Sequence, residues 1–205
     1  SGDIWSGGYY HLKRINLESK SVRLYPGVSS VTTILEKDAR QMWIGTRMGL
    51  YQLDKQSGIY QYIDLPIESL YICALYQRED GILYIGTRGA GLLVYDIDKG
   101  KFVHQYRTDN CALISDNIYT ILPRQDNSFL MGTENGITIY SPEEHSFRNW
   151  TREQGLMSVN FNAGSATAYS NIVPLFLVGM TALSGSRRTY RYQNHIIRVC
   201  CYVIL

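Results

Sequence analysis

Short apolar blocks alternate with polar turns along this chain, and the blocks recur in the same order. Three runs rich in β-branched and aromatic residues open successive units: Val31-Thr32-Thr33-Ile34-Leu35, Leu70-Tyr71-Ile72-Cys73-Ala74-Leu75 and Ile118-Tyr119-Thr120-Ile121-Leu122. Each leads into a polar turn (Lys37-Asp38-Ala39-Arg40, Arg78-Glu79-Asp80-Gly81, Arg124-Gln125-Asp126-Asn127) and then a second apolar block. A third, glycine-led block follows: Leu50 to Asp54, Leu92 to Asp96 and Ile137 to Tyr140. The fourth is more polar: Tyr60 to Tyr62, Phe102 to Tyr106 and Phe147 to Trp150. Blocks this short, bounded by Gly, Asp, Asn and Ser, predict strands. No apolar period of 3.6 residues survives over a useful length, so helices are not expected.

The second block carries a motif. Trp43-Ile44-Gly45-Thr46-Arg47-Met48-Gly49-Leu50 returns as Tyr84-Ile85-Gly86-Thr87-Arg88-Gly89-Ala90-Gly91-Leu92 and as Leu130-Met131-Gly132-Thr133-Glu134-Asn135-Gly136-Ile137. A weaker copy, Ile4-Trp5-Ser6-Gly7-Gly8-Tyr9-Tyr10, opens the chain. Gly45, Gly86 and Gly132 stand 41 and 46 residues apart, a spacing that marks a repeat architecture. Four antiparallel strands per repeat at this period predict β-propeller blades. The expected fold is all-β: a fragment of about four four-stranded blades that does not close into a ring. The most apolar first strand should lie at the axis and the polar fourth strand at the outside. Trp43, Tyr84 and Leu130 should wedge between blades. The motif glycines should admit a close backbone, and the threonines should bond across strands. Gly49, Gly91 and Gly136 should shape the turn into the third strand.

Composition narrows the function. The chain has 205 residues, 45% of them hydrophobic and 19% charged, so it can build a core. A net charge of +2 without a dense basic patch gives no case for nucleic acid. The 17 Tyr suit half-buried strands and amphipathic contact surfaces. Cys73 and Cys111 are isolated and Cys200 and Cys201 adjacent, with no metal spacing, and Cys73 reads as a small buried hydrophobe. No apolar run reaches the roughly 18 residues that span a bilayer.

Catalysis finds little support. Asp38, Asp80 and Asp126, and likewise Asp54 and Asp96, recur at equivalent turn positions, which suggests turn chemistry. No unique acidic motif suggests the facing carboxylate pair of a glycosidase. His11, His104 and His145 stand alone, without metal spacing. No catalytic, metal or cofactor residue is therefore assigned. Binding candidates come from the turns beside the motif: Tyr9, Tyr10, Arg47, Arg88, Glu134 and Asn135. Arg and Tyr at such turns can hydrogen-bond and stack on a sugar. The plainer alternative, which the residues favour, has Arg47 and Arg88 bracing neighbouring blades through carbonyls or Asp partners.

The motif copies resemble the two-component regulator propeller repeats. Trp43 to Leu50 matches that blade motif position for position, Gly81 to Asp96 looks like a blade centre, and Gly155 to Asn162 looks like the lead into the last blade. The resemblance covers residues 1 to about 171. It implies the periplasmic sensor region of a hybrid two-component histidine kinase, anchored in the inner membrane in its full-length form and responding to an oligosaccharide. A propeller-fold glycosidase or lyase and a protein-interaction scaffold are the alternatives. The chain opens inside a motif copy and is expected to be an arc of a longer array. Uncovered blade faces then predict a homodimer or aggregates.

Residues 172–205 lack the motif and hold Arg187, Arg188, Arg191, Arg198, His195 and the Cys200-Cys201 pair. Shifted by two bases, Leu177 to Ala182 permits Gly-Gly-Asn-Asp-Gly, with the Asp forced at the Met180 to Thr181 step. The tail therefore reads as an out-of-frame translation of a normal blade, in which His195, Cys200 and Cys201 would carry no selected function.

Overall fold

Each unit of the repeat folds as one antiparallel sheet whose strands lie side by side in sequence order. The computed structural model describes residues 3–68, 70–156, 159–167 and 176–179. In it β1 (Asp3–Ser6), β2 (Leu12–Asn16) and β3 (Ser21–Tyr25) make a three-stranded first sheet. The second sheet is β4 (Val31–Glu36), β5 (Gln41–Thr46), β6 (Gly49–Asp54) and β7 (Tyr60–Ile63). The third is β8 (Ile72–Gln77), β9 (Ile82–Thr87), β10 (Leu92–Asp96) and β11 (Lys101–Tyr106). The fourth is β12 (Ile118–Pro123), β13 (Phe129–Thr133), β14 (Ile137–Ser141) and β15 (Ser146–Trp150). A 3-10 turn, Arg152–Gln154, closed by a capping box on Thr151, precedes a final pair, β16 (Phe161–Thr167) with β17 (Phe176–Gly179). The chain is thus an all-β arc of propeller blades: three are complete, flanked by a three-stranded and a two-stranded sheet. The remainder of the tail, with His195, Cys200, Cys201 and the out-of-frame reading of Met180 to Ala182, lies outside the described residues.

The first strands pack one on the next, β4 on β8, β8 on β12 and β12 on β16. Each second strand also touches the first strand of the following sheet. The apolar first strands are therefore innermost, and the fourth strands form the outer edge, where β11 and β15 leave most of their residues exposed or half-buried.

The core is divided among the blade junctions. Leu12, Tyr25, Met42, Ile44 and Leu53 fill the first, with Trp5 against them. Trp43, Leu50, Ile72, Leu83 and Tyr95 fill the second, Tyr84, Leu92, Ile118, Phe129 and Tyr140 the third, and Leu130, Ile137 and Phe161 the fourth. Trp43, Tyr84 and Leu130 are the expected wedges. Trp43 keeps its indole N–H satisfied by donating to Gln77 Oε1 at 2.8 Å.

The motif glycines are holes for the next blade. A Cβ on Gly45 would stand 2.6 Å from Ile72 Cγ2 and 2.5 Å from Thr33 Cγ2. One on Gly86 would meet Ile118 Cγ2 at 2.8 Å, and one on Gly132 would meet Phe161 Cβ at 3.2 Å. A Cβ on Gly7 would overlap Val31 in the same way. Val31, Ile72, Ile118 and Phe161 all begin inner strands, so one knob enters one hole at every junction. Just after the knob the ladder slips by one residue, at Thr32, Cys73 and Tyr119. Such bulges re-aim side chains and increase local twist.

The motif threonine bonds across to the start of the next strand and in doing so closes the turn between them. Thr46 pairs with Gly49, the first residue of β6, and Gly91 and Gly136 directly precede β10 and β14. Each hydroxyl closes the turn that follows, donating to Gly49 O at 2.9 Å, Gly91 O at 2.7 Å and Gly136 O at 2.8 Å. Each also accepts an amide N–H within the turn, from Met48, Ala90 and Asn135. Gly91 sits at φ 73, and any Cβ there would strike the Tyr106 carbonyl.

The junction geometry predicts that Gly45→Ala is destabilising. Thr33 and Ile72 are β-branched and stiff at χ1, so neither yields easily. Overpacking of this kind costs about 1–3 kcal/mol. Gly8→Ala, whose Cβ would meet nothing within 4 Å, is the control expected to be near neutral, and chemical denaturation of both variants checks the pair.

Candidate functional site

Two positions in every repeat reach the same rim. One is the second residue after the motif glycine: Tyr9, Arg47, Arg88 and Glu134. The other is the residue just ahead of the inner strand: Ser30, Tyr71 and Asn117. Backbone hydrogen bonds tie the two positions together within and between blades. Ser30 N donates to Tyr9 O at 3.0 Å, Arg47 N to Ser30 O at 3.2 Å and Arg88 N to Tyr71 O at 2.8 Å. Arg88 and Asn117 form an isolated antiparallel bridge, and Gly89 N and Gly91 N both donate to Asp116 O. The rim is thereby fixed by the main chain.

Side chains then join in a row across the blades. The Arg47 guanidinium lies over Tyr9 at 5.8 Å from the ring centroid and over Tyr71 at 5.5 Å. The Arg88 guanidinium lies over the same Tyr71 ring at 5.7 Å. Tyr10 meets Tyr9 edge-on at 5.6 Å, and the two rings are 77% and 62% exposed. Farther along, Asn117 Nδ2 donates to Glu134 Oε2 at 2.5 Å, and Asn135 Nδ2 reaches Ile114 O at 3.5 Å. Burial, then the Glu134 charge, push the Tyr119 phenol up.

All six sequence candidates therefore fall on one rim, and the structure brings Tyr9, Arg47 and Arg88 together around a residue the sequence reading missed. Tyr71 was read as part of an apolar strand, yet β8 begins one residue later and Tyr71 lies at the rim. Its signal was available, since it aligns with Ser30 and Asn117 at a variable position directly before a fixed one. The bracing alternative is met only by cation–π contacts. Among the described residues, no carboxylate and no carbonyl pairs with either guanidinium.

The turn aspartates are occupied locally. Asp54 Oδ1 accepts from Ser57 N at 2.9 Å and Gln56 N at 3.0 Å. The Ser57 amide and the Arg40 guanidinium hold its carboxyl down at about 2. Lys99 lowers Asp96 and the Ser128 hydroxyl lowers Asp126. At Asp38, burial works upward but the amides of Gln41 and Arg40 outweigh it. A general acid needs the opposite shift. Burial pushes the Cys73 thiol up to about 12, so it is not a nucleophile at neutral pH.

His104 and His145, which show no metal spacing along the chain, meet tyrosines in space. An open cleft of about 470 Å³ between the third and fourth blades is lined by Tyr84, His104, Tyr106, Tyr140 and His145 among others. Tyr140 donates its hydroxyl to Tyr106 at 2.8 Å, His145 Nδ1 lies 3.3 Å from Tyr106 Oη, and the His104 ring meets Tyr106 at 4.4 Å. Sequence distance hid this cluster, because its members come from different strands and turns. Among the described residues no three His, Cys, Asp or Glu side chains gather into a metal cluster.

No protein-family model and no curated protein matches the chain. Solved structures do. The extracellular domain of the hybrid two-component system BT3049 from B. thetaiotaomicron superposes with a TM-score of 0.69 and 27% identity, over 79% of this chain and 22% of that one. The extracellular domain of the hybrid two-component system BT4673 from the same organism gives a TM-score of 0.64 at 19% identity, over 78% and 22%. The WD40 repeats of RRP9 give 0.62 at 15%, over 78% and 49%. The latter two likenesses show the propeller fold alone. The chain is thus similar to the extracellular domain of the hybrid two-component system BT3049, and it spans about a fifth of the length of that domain and of the BT4673 one.

Arg88→Gln separates a rim residue from a brace. An exposed arginine held by cation–π contact alone should cost about 0.5–1 kcal/mol or less. Thr87→Val, which strips the buried turn of its hydroxyl, should cost about 1–3 kcal/mol. Thermal melts of the two variants check the order, and the reverse order would make Arg88 a structural brace.

Proposed function

We propose that this chain is a ligand-sensing segment of an extracellular or periplasmic propeller in a two-component signalling protein. The fold and the likeness to the extracellular domain of BT3049 support that role. The ligand we infer is an oligosaccharide, bound at the rim that Tyr9, Tyr10, Arg47, Tyr71 and Arg88 share. The observation that carries this reading is the rim row itself: exposed aromatic faces beside unpaired guanidiniums, on a main chain fixed by hydrogen bonds. Aromatic faces stack on the apolar faces of sugar rings, and arginine donors reach ring hydroxyls. A histidine kinase elsewhere in the full-length protein would receive the signal, and a membrane span would carry it. Binding biases such an equilibrium only when the ligand prefers one state.

A propeller enzyme is the second reading, favoured by nothing at the rim, since the turn aspartates are lowered rather than raised. Calorimetric titration with a panel of oligosaccharides, followed by chromatography of the same mixtures, tests the pair. Binding with unchanged ligand is expected, and released products would replace the sensor with a glycosidase or lyase.

We also propose self-association of the chain through the first sheet. Ile4 pairs across to Ile15 and Ile15 to Val22, placing them on one face with Leu24. Val22 is 58% and Leu24 52% exposed. Contiguous apolar surface of this kind drives association. Light scattering should give a dimer or larger species that Val22→Lys with Leu24→Lys reduces to monomer. A monomer before substitution would end the proposal.

A further inference from the structure

The rim has a charge that its own residues do not answer. Arg47 and Arg88 come from different blades, yet both guanidiniums lie over the single ring of Tyr71, at 5.5 and 5.7 Å. Both side chains belong to exposed residues. All 18 Asp and Glu of the chain lie among the described residues, and none of them pairs with either arginine. The neighbouring acids are spent elsewhere. Glu134 takes the Asn117 amide at 2.5 Å, and Asp116 accepts from Thr108 N at 2.8 Å and from Arg107 at 3.4 Å. Most other arginines with a polar side-chain contact here reach a carboxylate: Arg14 to Asp3, Arg40 to Asp54, Arg78 to Asp80, Arg107 to Asp116, Arg124 to Asp126 and Arg148 to Glu144.

A cation–π contact uses the charge of a guanidinium and leaves its N–H donors available. Two such groups over one ring concentrate positive charge at one place on the rim, which favours an anion. A carboxylate or sulfate offers the paired oxygens that match the guanidinium fork. Beside the pair, the exposed rings of Tyr9 and Tyr10 supply faces for the carbon skeleton.

We propose that the rim takes an acidic saccharide, with Arg47 and Arg88 binding its uronate carboxylate or ester sulfate while Tyr71 positions the two guanidiniums. The inference rests on the saccharide reading above and narrows it to ligands that carry negative charge.

The test compares five probes by calorimetry on the chain: trigalacturonate, its neutral counterpart galactotriose, a sulfated chondroitin disaccharide, the unsulfated form of that disaccharide and a short single-stranded DNA. One acidic saccharide should bind at least tenfold more tightly than galactotriose. Arg47→Gln and Arg88→Gln should each abolish that margin while keeping the thermal midpoint. Because the disaccharide carries a uronate as well as a sulfate, a response that its unsulfated form shares, or a response to trigalacturonate, assigns the carboxylate, and a response that the unsulfated form loses assigns the sulfate. Equal binding of galactotriose, or a margin that survives both substitutions, overturns the acidic ligand and leaves the saccharide sensor standing. Equal binding of the DNA marks a general polyanion surface and also overturns it. No saccharide binding by the folded chain overturns both readings together.

Discussion

One steric constraint organises the molecule: the inner strand of each blade approaches the second strand of the blade before it so closely that a methyl group will not fit between them. At Gly7, Gly45, Gly86 and Gly132 the missing Cβ is the space occupied by Val31, Ile72, Ile118 and Phe161. The bulky wedges stand on the same second strands, two residues before each hole, and keep the sheets apart there. The bulge after each knob follows from the same demand, since the inner strand must turn from contact with the preceding blade to pairing within its own. Because burial lies between blades rather than within them, each sheet depends on its neighbours for a core.

This division of labour explains where function can reside. The glycine, threonine and apolar positions of the motif are committed to the junction and the turn. The residue two places after the glycine has no such duty, and its chemistry changes along the copies: Tyr9, Arg47, Arg88 and Glu134. The main-chain bonds that tie this turn to the lead-in of its own or the next blade do not depend on the side chain. A rigid frame thus presents a row of freely variable groups, which is how recognition loops on stable scaffolds generally work.

Much of this was legible in the sequence, and the omissions have physical reasons. Strand order, the glycine holes and the wedges all come from short-range pattern, and they stand as read. The turn role of Asp54 and Asp96 was visible in their repetition, and their amide contacts agree. Tyr71 was hidden because an aromatic residue beside an apolar run carries the same pattern whether it enters the strand or turns out of it. The Tyr106, Tyr140 and His145 cluster was hidden for another reason: its hydrogen bonds cross between blades, and no periodicity along the chain encodes which side chains meet across a junction. The threonine hydroxyl serves strand and turn at once, and the turn half of that task is hidden until the geometry of the following glycine is known.

The junctions show that the copies are less degenerate than the motif suggests. Read along the chain, the wedge shrinks from Trp5 and Trp43 to Tyr84 and then Leu130. The knob at the same junction grows from Val31 to Ile72 and Ile118 and then Phe161. Each pair shares one cluster, so the large knob stands where the small wedge leaves room. Cores keep near-constant packing density, and swaps that conserve volume are tolerated best. Here that rule acts between sheets rather than within one. What repeats at the junction is therefore the summed volume of a residue pair drawn from two successive units, and the wedge of a blade is suited to the knob of its own follower rather than to that of any other copy.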